Sequence, residues 1–543
     1  MYRKLVAASA IAAVAAAACL TGSGVASSAA AAREAQRIPA GLAAAIHTRF
    51  GAGAIRSARA SRASAGPTLG FSVALSADGT TALVGAPGDF KGPGAAFVFH
   101  SSSAGAWSST DTPAATLLYT THPAKGVAYG IDVALSADGT TAFVGAADGG
   151  FTAGSGTIYV FHASAEDAWA SSSTPAASLT DADNVVGDGF AVSADGTTLI
   201  AGTPLGAGGA NIFHVSSETA WASTSTPTAT LTNAAQPEGD QYAGISVAIS
   251  ADGTTALVSD AGNANGGDAY VYRVAAEDAW ADSSTPTAFL SNANSVSGDL
   301  LGYSVSLSGD GTVATLAAPG FGSSPPHDGS IDIFRTSEEA AWATTSSPTA
   351  ILTDGDGGLF GNGFGGSAAV SSDGTTVLAS VPFYGGLEGG VDVFHVSNTA
   401  AWASTDTPTA ILVNSGRRFN EAVEDSLPPA LSADGTTALD GTPYQDSGTG
   451  AADVFHVSDA GSWKSTSKAK ARLTVKALER CVVPRLIGLK LRAAKSVLKA
   501  RSCRLGNVRR VHAKLQKGRV LSQSRKPGTR LPVGTKVSVK VGE

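Results

Sequence analysis

An Asp-Gly pair that returns about every 60 residues constrains this chain more than any other feature. The pairs start at Asp78, Asp138, Asp195, Asp252, Asp310, Asp373 and Asp434, with spacings of 60, 57, 57, 58, 63 and 61 residues. All seven tryptophans run in phase with them, at Trp107, Trp169, Trp221, Trp280, Trp342, Trp402 and Trp463. Each tryptophan precedes a Ser/Thr-rich stretch and then a short apolar run such as Ala229-Thr230-Leu231. Two independent markers with one period define a repeat architecture.

One repeat reads as four strands. Phe71 to Ser76 alternates Phe71, Val73 and Leu75 with small residues, the period of a strand with one buried face. Asp78-Gly79 then supplies the positive-φ residues of a tight hairpin turn. Thr80 to Gly85 returns as the second strand, Ala95 to His100 is the third, and Ala114 to Leu117 is the fourth. No helical period is visible across residues 67–463. Four short strands in each of seven units is the arithmetic of an all-β seven-bladed β-propeller, and closing such a ring removes exposed sheet edges.

Charge divides the chain into three. Residues 1–66 carry 8 basic and 1 acidic residue, residues 67–463 carry 6 and 41, and residues 464–543 carry 23 and 2. The net charge of −7 conceals an acidic middle and a basic tail, which points to different partners for the two. A hydrophobic content of 43% excludes wholesale disorder. Three cysteines exclude a disulfide-dense scaffold and a multi-zinc protein. No apolar run beyond residue 20 is long enough to span a bilayer, so no transmembrane helix is expected in the mature chain.

Arg3 and Lys4 precede an apolar run from Leu5 to Leu20, and small residues follow from Gly22 to Ala32. Residues 1–32 therefore read as a secretory signal peptide and the protein as secreted. Cys19 resembles a bacterial lipoprotein processing site, but Ala16 stands where such sites usually carry Leu. Cleavage near Ala26–Ala32 is the expectation. Residues 33–66 read as a flexible basic linker, and residues 67–475 as the propeller.

The repeats resemble FG-GAP repeats of integrin-α-type propellers and related bacterial surface proteins. The resemblance rests on Gly70-Phe71 with Gly85-Ala86-Pro87 in the first repeat, and on Gly302-Tyr303 with Ala317-Ala318-Pro319 in the fifth. It implies a binding scaffold, and in many such repeats a calcium loop of the form Asp-x-Asp-x-Asp-Gly. Here that loop has shrunk to Ser76-Ala77-Asp78-Gly79 and its equivalents. One carboxylate cannot provide six to eight oxygen ligands, so a plain hairpin is expected and no cofactor is assigned. Two richer loops between repeats remain calcium candidates: Asp181, Asp183 and Asp188, and Asp354 and Asp356.

No catalytic motif stands out. The chain lacks a Gly-x-Ser-x-Gly elbow, a His-Glu-x-x-His pair and a P-loop. His100, His162, His214, His395 and His456 each follow a Phe at the end of a third strand, and Arg273 and Arg335 fill that slot in the other two repeats. A residue placed once per repeat is a packing element, and the tryptophans read the same way. The alternative reading is a propeller enzyme acting on wall glycans, a lyase or hydrolase. It would need non-repeating polar residues converging at one mouth of the ring.

From Cys481 the pattern changes. Val482-Val483-Pro484 reads as strand. Leu489 to Ala500 reads as helix, with Leu491, Ala494 and Leu498 on one face. Val508, Gly518 to Gln523 and Lys536 to Val541 read as strand. This closely resembles a PASTA domain, the small α+β module associated with penicillin-binding proteins and Ser/Thr kinases. The matching residues are Val483-Pro484-x-Leu486-x-Gly488, Gly518-x-Val520-x-Ser522-Gln523, Pro527-Gly528-Thr529 and Gly534-Thr535-x-Val537. The module is set at residues 476–543. The resemblance implies contact with peptidoglycan. The basic charge implies, separately, attraction to anionic wall polymers. Export makes nucleic acid an improbable partner. Cys481 and Cys503 are the two cysteines left after the signal is removed. A disulfide between them would close a loop of about 22 residues and contribute about 3 kcal/mol.

Overall fold

The structure is a computed structural model. It describes residues 68–543 apart from 88–93, 119–126, 149–155, 182–185, 187–188, 205–207, 235–242, 263–265, 321–328, 356–363, 382–388, 414–427, 444–449, 476–480, 500–502, 513–516 and 532–535. The chain divides into two compact units, the first ending at Thr474 and the second beginning at Val475.

The larger unit is built of seven four-stranded antiparallel sheets among the described residues, each formed by four consecutive strands. In the first, β1 is Ser72–Leu75, β2 Thr81–Ala86, β3 Ala95–His100 and β4 Ala115–Leu117. The other sheets span 127–179, 190–231, 243–291, 304–352, 368–412 and 430–473. The second strand of each sheet lies between two neighbours and is almost wholly buried, as Thr81–Ala86 is along its length. Such a strand reads as a continuous apolar and small-residue run, which is what TALVGA is.

The hairpin departs from expectation. Gly79 alone takes a positive φ, 71°, and its equivalents do the same, while no hairpin aspartate does. The Gly79 N–H donates to Ser76 O at 2.9 Å, closing a four-residue turn. Asp78 keeps an ordinary backbone because its carboxylate reaches forward to the Thr80 N–H at 3.0 Å. An Asx turn thus replaces the second left-handed residue.

The segment before each tryptophan also differs from the sequence reading, which saw no helix there. It is a single 3₁₀ turn in six of the seven sheets, such as Ala104–Ala106 and Glu218–Ala220. One turn is too short to leave a 3.6-residue period in the sequence.

Core residues lie between sheets. One cluster joins Leu83 and Val98 of the first sheet to Val144, Tyr159 and Trp169 of the second. Another joins Leu316 and Trp342 of the fifth to Leu257 and Val271 of the fourth. The apolar faces of neighbouring sheets therefore stabilise one another, at roughly 25 cal/mol per Å2 of apolar surface removed from water.

Backbone hydrogen bonds tie successive sheets together at two levels. At the hairpins, Ala77 N donates to Ala137 O, Ala137 N to Ala194 O, Ala194 N to Ala251 O and Ala251 N to Gly309 O. Asp310 N then donates to Ser372 O, Ser372 N to Ala433 O, and Ala433 N back to Ala77 O at 2.9 Å. At the fourth strands, Leu117, Leu179, Leu231, Leu290, Leu352 and Leu412 each bridge to a Ser or Thr of the following sheet, and Leu473 bridges to Thr110 of the first. Both series return to their start.

The smaller unit holds helix α1, Leu491–Lys499, and a three-stranded sheet of Arg504–Val511, Lys536–Gly542 and Val520–Gln523, with Lys536–Gly542 in the middle. A short strand at Cys481–Val482 pairs with Arg530–Leu531. Ala494 and Leu498 of α1 pack on Val520, Val537, Val539 and Val541.

Candidate functional site

Three polar arrangements were candidates for chemistry. The first is the hairpin end of each sheet. Ser76 Oγ donates to Asp78 Oδ1 at 2.7 Å and accepts from the Thr81 N–H at 2.9 Å. Thr81 Oγ1 lies 2.9 Å from His100 Nδ1 and 2.8 Å from Glu166 Oε2 of the second sheet. A carboxylate only accepts, so Thr81 gives its one proton to Glu166 and takes a hydrogen bond from His100 Nδ1–H. The second sheet repeats this with Thr141, His162 and Glu218 of the third. Thr198–His214, Thr376–His395 and Thr437–His456 repeat its histidine half.

Where arginine fills the slot the set changes coherently. Arg273 pairs with Glu339 of the next sheet at 3.5 Å, and Thr255 Oγ1 has no hydrogen-bond partner among the described residues. In the fifth sheet the threonine position is Val313, and Arg335 Nε donates to Thr399 Oγ1 at 3.0 Å. These groups connect sheet to sheet. The glutamates lie three residues before their tryptophans, at Glu166, Glu218, Glu277 and Glu339. The sequence reading missed them, although that fixed offset was available to it.

Electrostatics fit a structural role. Burial pushes the Asp138 carboxyl up. Hydrogen bonds from Ser136 and Thr140 and the charge of His162 outweigh it, so it lies below its ordinary value. Asp252 and Asp434 are lowered in the same way, with Arg273 and His456 as the neighbouring charges. His456 is itself lowered, first by burial and then by Lys470. Every tryptophan is buried and donates its indole N–H to the hairpin glycine carbonyl of its own sheet, at 2.8–2.9 Å. None is free to stack on a sugar.

The second arrangement lies away from the hairpins and recurs at one strand position: Asn211, Tyr270, Asp332 and Asp453 each stand three residues before the His or Arg slot of a third strand. Asp181 is buried and accepts from Asn211 Nδ2 of the third sheet. Tyr270 donates to Asp260 within the fourth sheet. Asp332 accepts from Asn292 at 2.7 Å and Ser330 at 2.9 Å. Burial raises its pKa, and the charge of Asp299 adds to that rise. Arg472 stands 3.9 Å from Asp453 in the seventh sheet. Asp181–Asn211 joins the second sheet to the third and Asn292–Asp332 the fourth to the fifth, while the other two pairs lie within one sheet. Of the calcium candidates, Asp181 and Asp354 are described, while Asp183, Asp188 and Asp356 lie outside the described residues. No group of three or more potential metal ligands occurs among the described residues.

The third arrangement is the basic surface of the smaller unit. Arg504, Arg509, Lys536 and Lys540 are exposed on its sheet, and Arg492, Lys495 and Lys499 are exposed on α1. Cys503 is buried in the core of this unit, and the side chain of Cys481 lies outside the described residues. No helix among the described residues is long and apolar enough to cross a membrane.

Comparison with known proteins bears mainly on the smaller unit. The family described as PASTA domain matches residues 482–543, so the C-terminal unit is a PASTA domain. No curated protein matches the chain. Among solved structures, a chain of Kuenenia stuttgartiensis hydrazine synthase is 13% identical, with 72% of this chain and 96% of that chain covered and a TM-score of 0.44. No argument rests on a likeness of that size.

Proposed function

We propose that this chain is an exported bacterial envelope protein that binds rather than transforms its ligands. The observation that carries the reading is the PASTA domain at residues 482–543, a module of cell-envelope proteins that suggests contact with peptidoglycan. The seven sheets are read as a seven-bladed β-propeller of FG-GAP-like type, presenting its loops as a rigid protein- or glycan-binding face. Support for the ring comes from the two series of bonds that return from the seventh sheet to the first. Support for binding over catalysis comes from the polar groups of the hairpins and third strands, which recur from sheet to sheet and are engaged in hydrogen bonds within and between sheets. A disulfide between Cys481 and Cys503 belongs to this reading, as does residence at the cell wall.

The test is pelleting with purified cell-wall sacculi across a salt series, comparing the full chain with a chain ending at Thr474. Co-sedimentation of the full chain alone, persisting at high salt, supports recognition by the PASTA domain. Retention lost at modest salt reduces the contact to screened charge. Pelleting of the truncated chain would move wall recognition to the sheets and reopen the reading as a glycan lyase or hydrolase.

A further inference from the structure

We infer that the outer face of the PASTA sheet binds a phosphodiester polymer of the envelope. This rests on the wall-binding reading and goes beyond it by naming the face and the ligand chemistry. In the central strand Val537, Val539 and Val541 point into the core against α1. Side chains alternate along a strand, so Lys536, Ser538 and Lys540 occupy the opposite face. The parallel register sets Arg504 beside Lys536 and Arg509 beside Lys540, with an irregularity between Leu505 and Val508. The antiparallel register sets Ser522 beside Lys540, and Ser524 N donates to Ser538 O on the same side.

Three rows result. Arg504 and Lys536 form one, Ser538 and Ser524 the middle one, and Arg509, Lys540 and Ser522 the third. The two cationic rows are four residues apart on the central strand, about 13 Å at roughly 3.3 Å per residue. Ser538 Oγ accepts from Asn507 N at 3.1 Å, and Ser524 Oγ accepts from Ser538 N at 2.9 Å. Neither hydroxyl proton has an acceptor among the described residues. No Asp or Glu occurs anywhere in residues 482–542.

The face therefore offers guanidinium forks, ammonium groups and hydroxyl protons, and no carboxylate to receive a donor. Guanidinium forks match phosphate oxygens, and charge-assisted hydrogen bonds of this kind are the strong ones. A peptide stem brings its own N–H donors, for which this face offers only the serine hydroxyl oxygens. The diester groups of a phosphate polymer bring only acceptors, and bring them at recurring intervals. Two cationic rows suit a linear polymer of that kind better than a single small anion.

The test compares three full-length proteins of verified thermal stability. One is unaltered. One carries Arg504→Gln, Arg509→Gln, Lys536→Gln and Lys540→Gln. The third carries Arg485→Gln, Arg492→Gln, Lys495→Gln and Lys499→Gln, an equal charge change away from the sheet face. Each is pelleted with native sacculi and with sacculi stripped of phosphodiester polymers by cold hydrofluoric acid. Affinity for native sacculi should fall at least tenfold in the sheet-face variant and less than threefold in the other. Stripping should weaken the unaltered protein at least tenfold. The pair Arg509→Gln with Lys540→Gln, a milder change, should lose an intermediate amount. Equal losses in the two quadruple variants would overturn the inference in favour of diffuse charge. Undiminished binding to stripped sacculi would overturn it in favour of peptidoglycan itself, and wall binding would stand. Failure to bind native sacculi would overturn both.

Discussion

At the residue scale, one aspartate per repeat organises its turn by accepting from a serine, a threonine hydroxyl and a backbone N–H. Replacing Asp138 by Ala should cost about 1 kcal/mol in denaturant unfolding, the usual range for a lost capping acceptor. The lowered pKa values of Asp138, Asp252 and Asp434 fix a sign. A carboxyl held below its unfolded value of about 3.9 adds stability above that pH and loses it as pH falls through the folded value. The urea midpoint should therefore drop steeply below about pH 4, and Asp138→Asn should flatten part of that slope. Gly309 shows a constraint of another kind. A Cβ there would lie 2.0 Å from Ser372 Oγ of the next sheet; five of the other six hairpins carry Ala at this position, and the sixth carries Ser372 itself. Gly309→Ala should destabilise by about 1–3 kcal/mol, the range of overpacking, and Ser372→Ala should rescue it in a double-mutant cycle. An unchanged midpoint in Gly309→Ala would show that the seam yields.

At the element scale, the strands were legible because their burial alternates or runs continuously in the sequence. β3 falls on Ala95–His100 as read, and β4 begins one residue later than Ala114. Helix α1 begins two residues later than read, at Leu491, and its described part runs to Lys499, Ala500 lying outside the described residues. What the sequence hid are contacts between repeats. Glu166 gives no local sign that it belongs to Thr80 and Thr81, more than eighty residues earlier. Each Trp announces itself as packing by its period, yet its hydrogen bond to the hairpin carbonyl emerges only in three dimensions. Trp169→Phe keeps most of the ring in the seam and leaves Gly139 O without the indole N–H. It should cost about 1–2 kcal/mol, read as a fall in Tm. The calcium candidates failed to be decided from sequence for a simpler reason: Asp and Gly also suit ordinary loops. The rows of cations on the PASTA sheet were equally hidden, since only strand register brings Arg509 beside Lys540.

At the scale of the whole molecule, the acidic and basic parts resolve into separate compact units. Cutting the chain after Thr474 should leave the thermal transition of the sheets unchanged within a few degrees, because the bonds that join seventh sheet to first, including Thr474 N to Thr110 O, all lie at or before that residue. Loss of that transition would mean that the PASTA domain props up the sheets. Removing residues 68–118, the first sheet, should be far worse. It strips a partner from the second and seventh sheets at once and exposes strand edges, so aggregation on size-exclusion chromatography is the expected outcome.

The return of the bond series also sets a timetable. Thr474 Oγ1 reaches Thr110 O across 364 positions of sequence. At about 5–20 residues per second of synthesis, the first sheet waits on the order of tens of seconds before its last neighbour is made. During that interval its flank is an uncovered apolar surface. Until the seventh sheet arrives, the unfinished molecule therefore presents an apolar flank that the finished one covers.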